Sequence, residues 1–208
     1  RLKSRTVDRC GFLSYFAVGP EYPRPREGHK LTDEIKNELG GCIMKKIDVK
    51  SLQDNVFSLI GDRWMLITAG TAERCNTMTA SWGGLGVLWG APAATIYLRP
   101  QRYTKEFVDR EEYFTLAFFG EEQRKALTLC GSKSGREVDK VKECGFTVAQ
   151  AECGAPYFEE AELVLVCRKR YAQEMDPQAI PQDAKDRFYP EKDYHTMYIG
   201  EVVEALRK

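Results

Sequence analysis

Between Asn76 and Leu98 the chain carries no charged residue. A helix of that length would reach across a bilayer. Nine residues argue against it: Gly83, Gly84, Gly86, Gly90 and Pro92 would leave a lipid-facing helix poorly formed, and Asn76, Thr77, Thr79 and Ser81 are polar. Two buried strands, Met78–Trp82 and Ala94–Leu98, joined by a Gly/Pro turn satisfy the same pattern without a membrane. No membrane association is therefore expected.

The rest of the chain extends this reading. Val49, Leu52, Val56, Leu59 and Ile60 are spaced as on a helix. Met65–Thr71, Tyr113–Phe119, Phe146–Ala149, Ala161–Tyr171 and His195–Leu206 read as strands. Thr104–Glu112 reads as a short helix with Thr104 as its N-cap. Glu121–Cys130 and Glu137–Cys144 read as helices closed by Gly131 and Gly145. Asp176–Pro190 is a polar excursion between the last two strands. About seven strands with short helices between them do not make a doubly wound sheet. A mainly β, closed antiparallel barrel with helical insertions fits.

Lys+Arg and Asp+Glu both number 31, and the net charge is zero. A nucleic-acid partner is excluded on that balance, because phosphate neutralisation needs a basic excess. The seven cysteines are scattered with no CxxC pair, so zinc-ribbon and thioredoxin chemistry are excluded and no metal site is expected. Idle thiols in a reducing, cytoplasmic compartment are the simple expectation.

Residues 1–43 differ in texture. Pro20, Pro23 and Pro25 break them up, no period persists, and Met44-Lys-Lys-Ile-Asp-Val reads as a natural start just after Gly40-Gly41. They are expected to be non-native upstream sequence or a flexible N-terminal extension, with the functional domain over 44–208. Setting them aside leaves His195 as the domain's one histidine, which rules out a His-based triad or a His-rich metal centre.

Four clusters bear chemistry. In Asn76–Gly83, hydroxyl residues alternate with Met78, Ala80 and Trp82. Either this is a strand with one polar face, or small side chains let a flat ligand lie along its edge. Arg99-Pro-Gln-Arg102-Tyr103-Thr104-Lys105 joins a strand end to a helix start. Positive charge, a hydroxyl and free N–H groups there suit a phosphate, or else simply a capped helix with solvated basic residues. Ser132–Lys140, with Ser134, Arg136 and Lys140, makes a second basic lip or an ordinary helix entry. Asp193–Glu201 brings His195 to the start of a strand, as a structural or a catalytic imidazole.

In order and approximate spacing, Asn76–Gly83, Arg99–Lys105, Ser134–Lys140 and His195–Val203 resemble the flavin reductase-like, FMN-binding split-barrel flavoproteins. Ala155-Pro-Tyr and the strand end Cys167-Arg-Lys-Arg-Tyr171 are similar to the flavoredoxin-like branch. The resemblance spans roughly residues 47–206. It implies a six-stranded Greek-key split barrel, a homodimer, and FMN near the dimer interface. By resemblance, Met78, Thr79, Ala80, Ser81 and Trp82 border the flavin ring. Arg99, Arg102, Tyr103, Thr104 and Lys105 hold its phosphate or ribityl chain. Arg136 and Lys140 face the ligand or a neighbouring subunit, and His195 lies near the nicotinamide or the exposed face of the flavin. The implied activity is hydride transfer from NAD(P)H to flavin, without a Rossmann domain because no G-x-G-x-x-G follows a strand. Two alternatives stand beside it: a flavoredoxin-type electron carrier whose tightly bound FMN is reduced by a redox protein partner, and a non-catalytic barrel that binds a ligand or partner.

Overall fold

The computed structural model describes residues 44–208. The expectation for residues 1–43 lies outside the described residues. Ten strands are described: β1 (Lys45–Ile47), β2 (Met65–Gly70), β3 (Cys75–Ala80), β4 (Gly83–Leu88), β5 (Ala91–Leu98), β6 (Tyr113–Phe118), β7 (Val148–Gln150), β8 (Pro156–Phe158), β9 (Leu163–Glu174) and β10 (Thr196–Arg207). Between them run five α-helices: α1 (Val56–Gly61), α2 (Tyr103–Arg110), α3 (Arg124–Ser132), α4 (Lys140–Cys144) and α5 (Gln182–Phe188).

Eight strands form one antiparallel sheet in the order β3-β2-β6-β9-β10-β5-β4, with β1 added beside β10, while β7 and β8 pair as a separate hairpin. The path begins at β3 and ends at β4. These two edge strands are consecutive in the chain, and only Ser81 and Trp82 lie between them. A sheet whose opposite edges are two residues apart must curl round on itself, so it is a barrel split along one seam. This is the expected split-barrel fold.

Alternation along the strands packs both faces. Met65, Ile67, Phe114, Leu116, Phe118, Leu163 and Leu165 point into the barrel, where Ile96, Leu98 and Tyr198 join them. Leu66, Ala117, Val164 and Val166 point outward, under α3 and the β7–β8 hairpin, with Phe146 stacked between Phe119 and Phe158. Each fully buried Leu, Ile or Phe contributes about 1.5–3 kcal/mol relative to exposure. Apolar residues on both faces explain why β9 begins as an unbroken run, Leu163 to Cys167, rather than an alternating one. Register shifts at Ile199/Gly200 and Val202/Glu204 bend β10, so that its first half pairs with β5 and its last residues with β1.

Several local expectations are corrected. The Gly-rich run is not only a turn: Gly83–Leu88 is strand β4, and the reversal is confined to Trp89-Gly90. Glycine offers no alternating side chains from which a strand can be recognised, and β4 is an edge strand that needs few. The Val49–Ile60 helix is interrupted: a single 3-10 turn covers Val49–Ser51, and α1 starts afresh where Asn55 Oδ1 accepts from the Phe57 N–H at 3.0 Å. Thr104 does not cap α2. Arg102 is the N-cap, without a side-chain bond, and Thr104 is buried and accepts from Asn76 Nδ2 at 2.7 Å. Helix α3 runs past Gly131 to Ser132, whose hydroxyl donates back to the Thr128 carbonyl at 2.8 Å. Gly145 does close α4, in the left-handed conformation (φ 67°).

Candidate functional site

The end of β3, the end of β5 and the start of β10 meet at the seam. Leu98 pairs with Thr196, which sets Arg99 beside His195. Together these ends enclose a small cavity of about 140 Å³ lined by Met78, Thr79, Ala80, Ser81, Trp82, Tyr97, Arg99, Arg102 and His195. Three separate sequence clusters thus converge on one hollow. Ser81 and Trp82 belong to neither neighbouring ladder, since pairing stops at Ala80 and resumes at Gly83. The Thr79 hydroxyl is engaged by the Leu127 carbonyl, which ties β3 to α3.

A second hollow of about 310 Å³ adjoins the first and shares Met78 and Arg102 with it. Its wall holds Gln101, Tyr103, Thr104, Ser132, Lys133, Ser134, Gly135 and Lys140. Two cations reach it by the same device. Arg102 Nη1 donates to the Gly131 carbonyl at 2.7 Å, and Lys140 Nζ donates to the carbonyls of Cys130 and Thr77, each at 2.8 Å. Cys130 and Gly131 lie in the last turn of α3, whose free carbonyls form the negative end of the helix and gather positive charge. Carbonyl dipoles hold a cation in place but do not cancel its charge. Burial draws the Arg102 guanidinium below its ordinary value, and Arg99 adds to this. Lys140 is only 5% exposed. Burial lowers its ammonium too, and Arg102 repels it. Neither cation has a carboxylate partner among the described ion pairs.

His195 is buried, tilted against Trp82 at 5.3 Å between ring centroids, and its Nδ1 lies 2.7 Å from the Tyr189 hydroxyl. Burial holds the imidazole down at about 4, against 6.5 when free; Arg99 and Arg102 push the same way, and Asp193 opposes them. The folded ring is therefore neutral at pH 7. As pH falls below 6.5, an unfolded chain takes up a proton that the folded chain does not, so stability present above that value is lost towards pH 4. Between pH 7.5 and pH 5 the loss from this group is about 2 kcal/mol. Denaturant titrations at both pH values should show His195→Gln losing less than the wild type by that amount.

The remaining residues singled out from the sequence sit as follows. Arg99 pairs with Asp193 at 2.6 Å and donates to the Phe188 carbonyl at 2.7 Å, clamping the excursion before β10 to the barrel rim. Tyr103 packs edge-on against Phe107. Lys105 turns away from both hollows, to Asp109 at 2.7 Å. Arg136 lies over the Tyr103 ring at 4.6 Å, pairs with Glu106 and donates to the Gln101 carbonyl at 3.2 Å. The structure therefore does not bring Lys105 or Arg136 into either hollow.

Sequence reasoning missed Tyr97, Gln101 and Tyr189. Tyr97 had a signal: Ala94, Ile96 and Leu98 are the buried face of β5, which leaves Tyr97 on the other. Tyr189 had none, because it lies in the aperiodic excursion. The five described cysteines are free thiols. Burial pushes Cys130 up to about 12, far from a nucleophile's range. Among the described residues no acidic, histidine or cysteine cluster could hold a metal ion, and no helix is long and apolar enough to cross a membrane.

A Flavin reductase like domain is matched over residues 57–208, most of the chain. Among solved structures the chain is similar to an FMN-binding domain of a flavin reductase-like enzyme from Shewanella baltica, at 20% identity and a TM-score of 0.57, covering 79% of this chain and 77% of that one. It is also similar to flavoredoxin from Methanosarcina acetivorans (23%, TM-score 0.56, 79% and 76%). A third likeness is to NADH:FAD oxidoreductase SgcE6 of Streptomyces globisporus (19%, TM-score 0.53, 88% of each chain). No curated protein matches the chain. The structural likenesses agree with the split barrel, and the domain match extends from α1 to the last residue: the chain belongs to the flavin reductase-like family.

Proposed function

We propose that the protein is an FMN-binding oxidoreductase that passes hydride from NAD(P)H to flavin. The observation that carries this is the second hollow: Arg102 and Lys140 are both partly desolvated, repel each other and have no acidic partner among the described residues, beside the hydroxyls of Thr104 and Ser134. Such a donor set fits a phosphate dianion. The adjoining first hollow is narrow, is walled by small residues at Ala80 and Ser81, and is flanked by the free backbone between β3 and β4. That combination fits a flat heterocycle whose polar rim takes backbone hydrogen bonds. The residues present therefore fit FMN.

Arg102 and Lys140 would neutralise the phosphate, with Ser134 and Tyr103 beside it. Backbone groups of Thr79–Trp82 would border the ring and stabilise negative charge building on it. Lys105 and Arg136, engaged with Asp109 and Glu106, are assigned no contact with this ligand. Two-electron transfer from a nicotinamide is the chemistry FMN supplies when bound. The chain's own contribution is to align the two rings, exclude water through Trp82 and the clamped excursion, and present His195 as a neutral imidazole.

A homodimer is part of the proposal. Beside Trp82 opens an apolar groove of about 900 Å³ between α1, β4 and α5, with no charged residue in its lining and Phe57 88% exposed on its rim. A second copy would cover it. Free thiols throughout the described residues fit a reducing, cytoplasmic setting.

The test is optical. Purified protein should bind FMN with quenched flavin fluorescence and a raised melting temperature, and NADH or NADPH added without oxygen should bleach the flavin band. Bleaching by a chemical reductant but by neither nucleotide would transfer the protein to the electron carriers. Absence of FMN binding would leave a non-catalytic barrel.

A further inference from the structure

We propose that Tyr189 is a positioning residue that fixes His195 as its neutral Nε2–H tautomer and so makes it a hydrogen-bond donor towards the cavity. The chemical consequence rests on the function proposed above, whereas the tautomer is a property of the protein alone. Tyr189 and His195 are both buried, with the phenol oxygen 2.7 Å from Nδ1. Tyr189 lines the apolar groove and not the cavity; His195 lines the cavity and not the groove. The pair spans the wall between them.

One proton occupies the oxygen–nitrogen bond, and two arrangements are possible. If Nδ1–H donated to the phenol, the phenol's own hydrogen would be left with Met175 Sδ at 3.9 Å, a weak acceptor. If the phenol donates to Nδ1, the best donor of the group meets its best acceptor. The second arrangement wins and leaves the imidazole proton on Nε2. Of the charged groups facing the ring, Arg99 from the end of β5 and Arg102 from the start of α2 favour the neutral form and outweigh Asp193, which opposes it; burial pushes the Tyr189 phenol up, and Tyr97 meets the ring edge-on at 6.4 Å. Tyr189 is itself held. The Arg99 guanidinium lies 5.1 Å from its ring centroid while bonding the Phe188 carbonyl and Asp193 on either side.

A neutral N–H donor suits a carbonyl oxygen, such as the carboxamide of a nicotinamide, and a ring held neutral by burial is no imidazolium acid near neutral pH. His195 then contributes orientation and not acid catalysis, and Tyr189 acts through it.

The full chain has two histidines, His29 and His195, so histidine labelled with nitrogen-15 gives a two-ring spectrum that His29→Gln assigns. At pH 7.5, long-range proton–nitrogen correlations of the wild type should show His195 protonated at Nε2. Protonation at Nδ1 would overturn the proposal, whatever the variant does. Tyr189→Phe should turn the single tautomer into a mixture and slow anaerobic flavin reduction by NADH about tenfold, the worth of one hydrogen bond, with FMN affinity within about twofold of wild type. An unchanged tautomer and rate in Tyr189→Phe would equally sink it. Should the protein bind no FMN, the proposed function fails while the wild-type spectrum still decides the tautomer.

Discussion

Arg102→Ala should weaken FMN binding about a hundredfold and riboflavin binding hardly at all. A charge-assisted hydrogen bond to a phosphate contributes about 1.5–3 kcal/mol, and a hundredfold change corresponds to about 2.7 kcal/mol. The upper part of that range applies because the guanidinium is half-buried at the junction of the two hollows and, among the described residues, has no carboxylate to share its charge. Riboflavin has the ring and the ribityl chain but no phosphate, so the ratio of the two affinities isolates the anion contact. Fluorescence-quenching titrations of both flavins against both proteins give that ratio. The substitution also uncaps the Gly131 carbonyl at the end of α3, so a small fall in the melting temperature of the ligand-free variant is expected. If FMN and riboflavin lose affinity equally, the second hollow is not the phosphate site and the proposed orientation of the flavin is wrong.

Gly70→Ala should cost about 3 kcal/mol of stability, and Gly84→Ala almost none. Gly70 ends β2 at φ 123°, a conformation that side-chain-bearing residues rarely adopt. A Cβ there would sit 2.3 Å from the Arg74 carbonyl oxygen and 2.8 Å from the Cys75 Cα, both backbone atoms of the returning strand. Backbone strain and overpacking each cost about 1–3 kcal/mol, and neither can relax without opening the β2–β3 turn. A Cβ on Gly84 meets nothing within 4 Å, and its φ is ordinary. Stiffening the unfolded chain makes that substitution neutral or slightly favourable. Urea denaturation of the two variants side by side is the check. The pair also bears on function, because the β2–β3 turn sets the register that carries Met78–Ala80 to the seam.

The contrast between those glycines shows where the sequence was legible and where it was not. Seven glycines and prolines in and around the uncharged stretch announced turns in general, yet nothing in one dimension separates a glycine needed for its backbone angle from one lying in an open edge strand. The convergence at the seam was more readable. Small hydroxyl residues at a strand end, a basic strand-to-helix junction and a lone histidine entering a strand are chemical discontinuities, and each lies where a strand reaches the barrel rim. Direction was the hidden quantity. Lys105 and Arg136 carry the charge that a phosphate site wants, but helical spacing gives Lys105 to Asp109 and the approach of α2 gives Arg136 to Glu106. The Lys105–Asp109 spacing was visible beforehand and argued for that outcome. Lys140, read as part of a basic lip and by resemblance as facing the ligand or a neighbouring subunit, is a buried cation in the wall of the second hollow, because the end of α3 draws it in.

A cylinder closed by a covalent stitch has an adjustable girth. Where β3 and β4 are joined through Ser81-Trp82 and no amide ladder bridges them, the staves on either side can spread or tighten without breaking a paired bond elsewhere. Substitutions at those two positions should therefore change the width of the hollow they line while the registers elsewhere in the wall stay as they are.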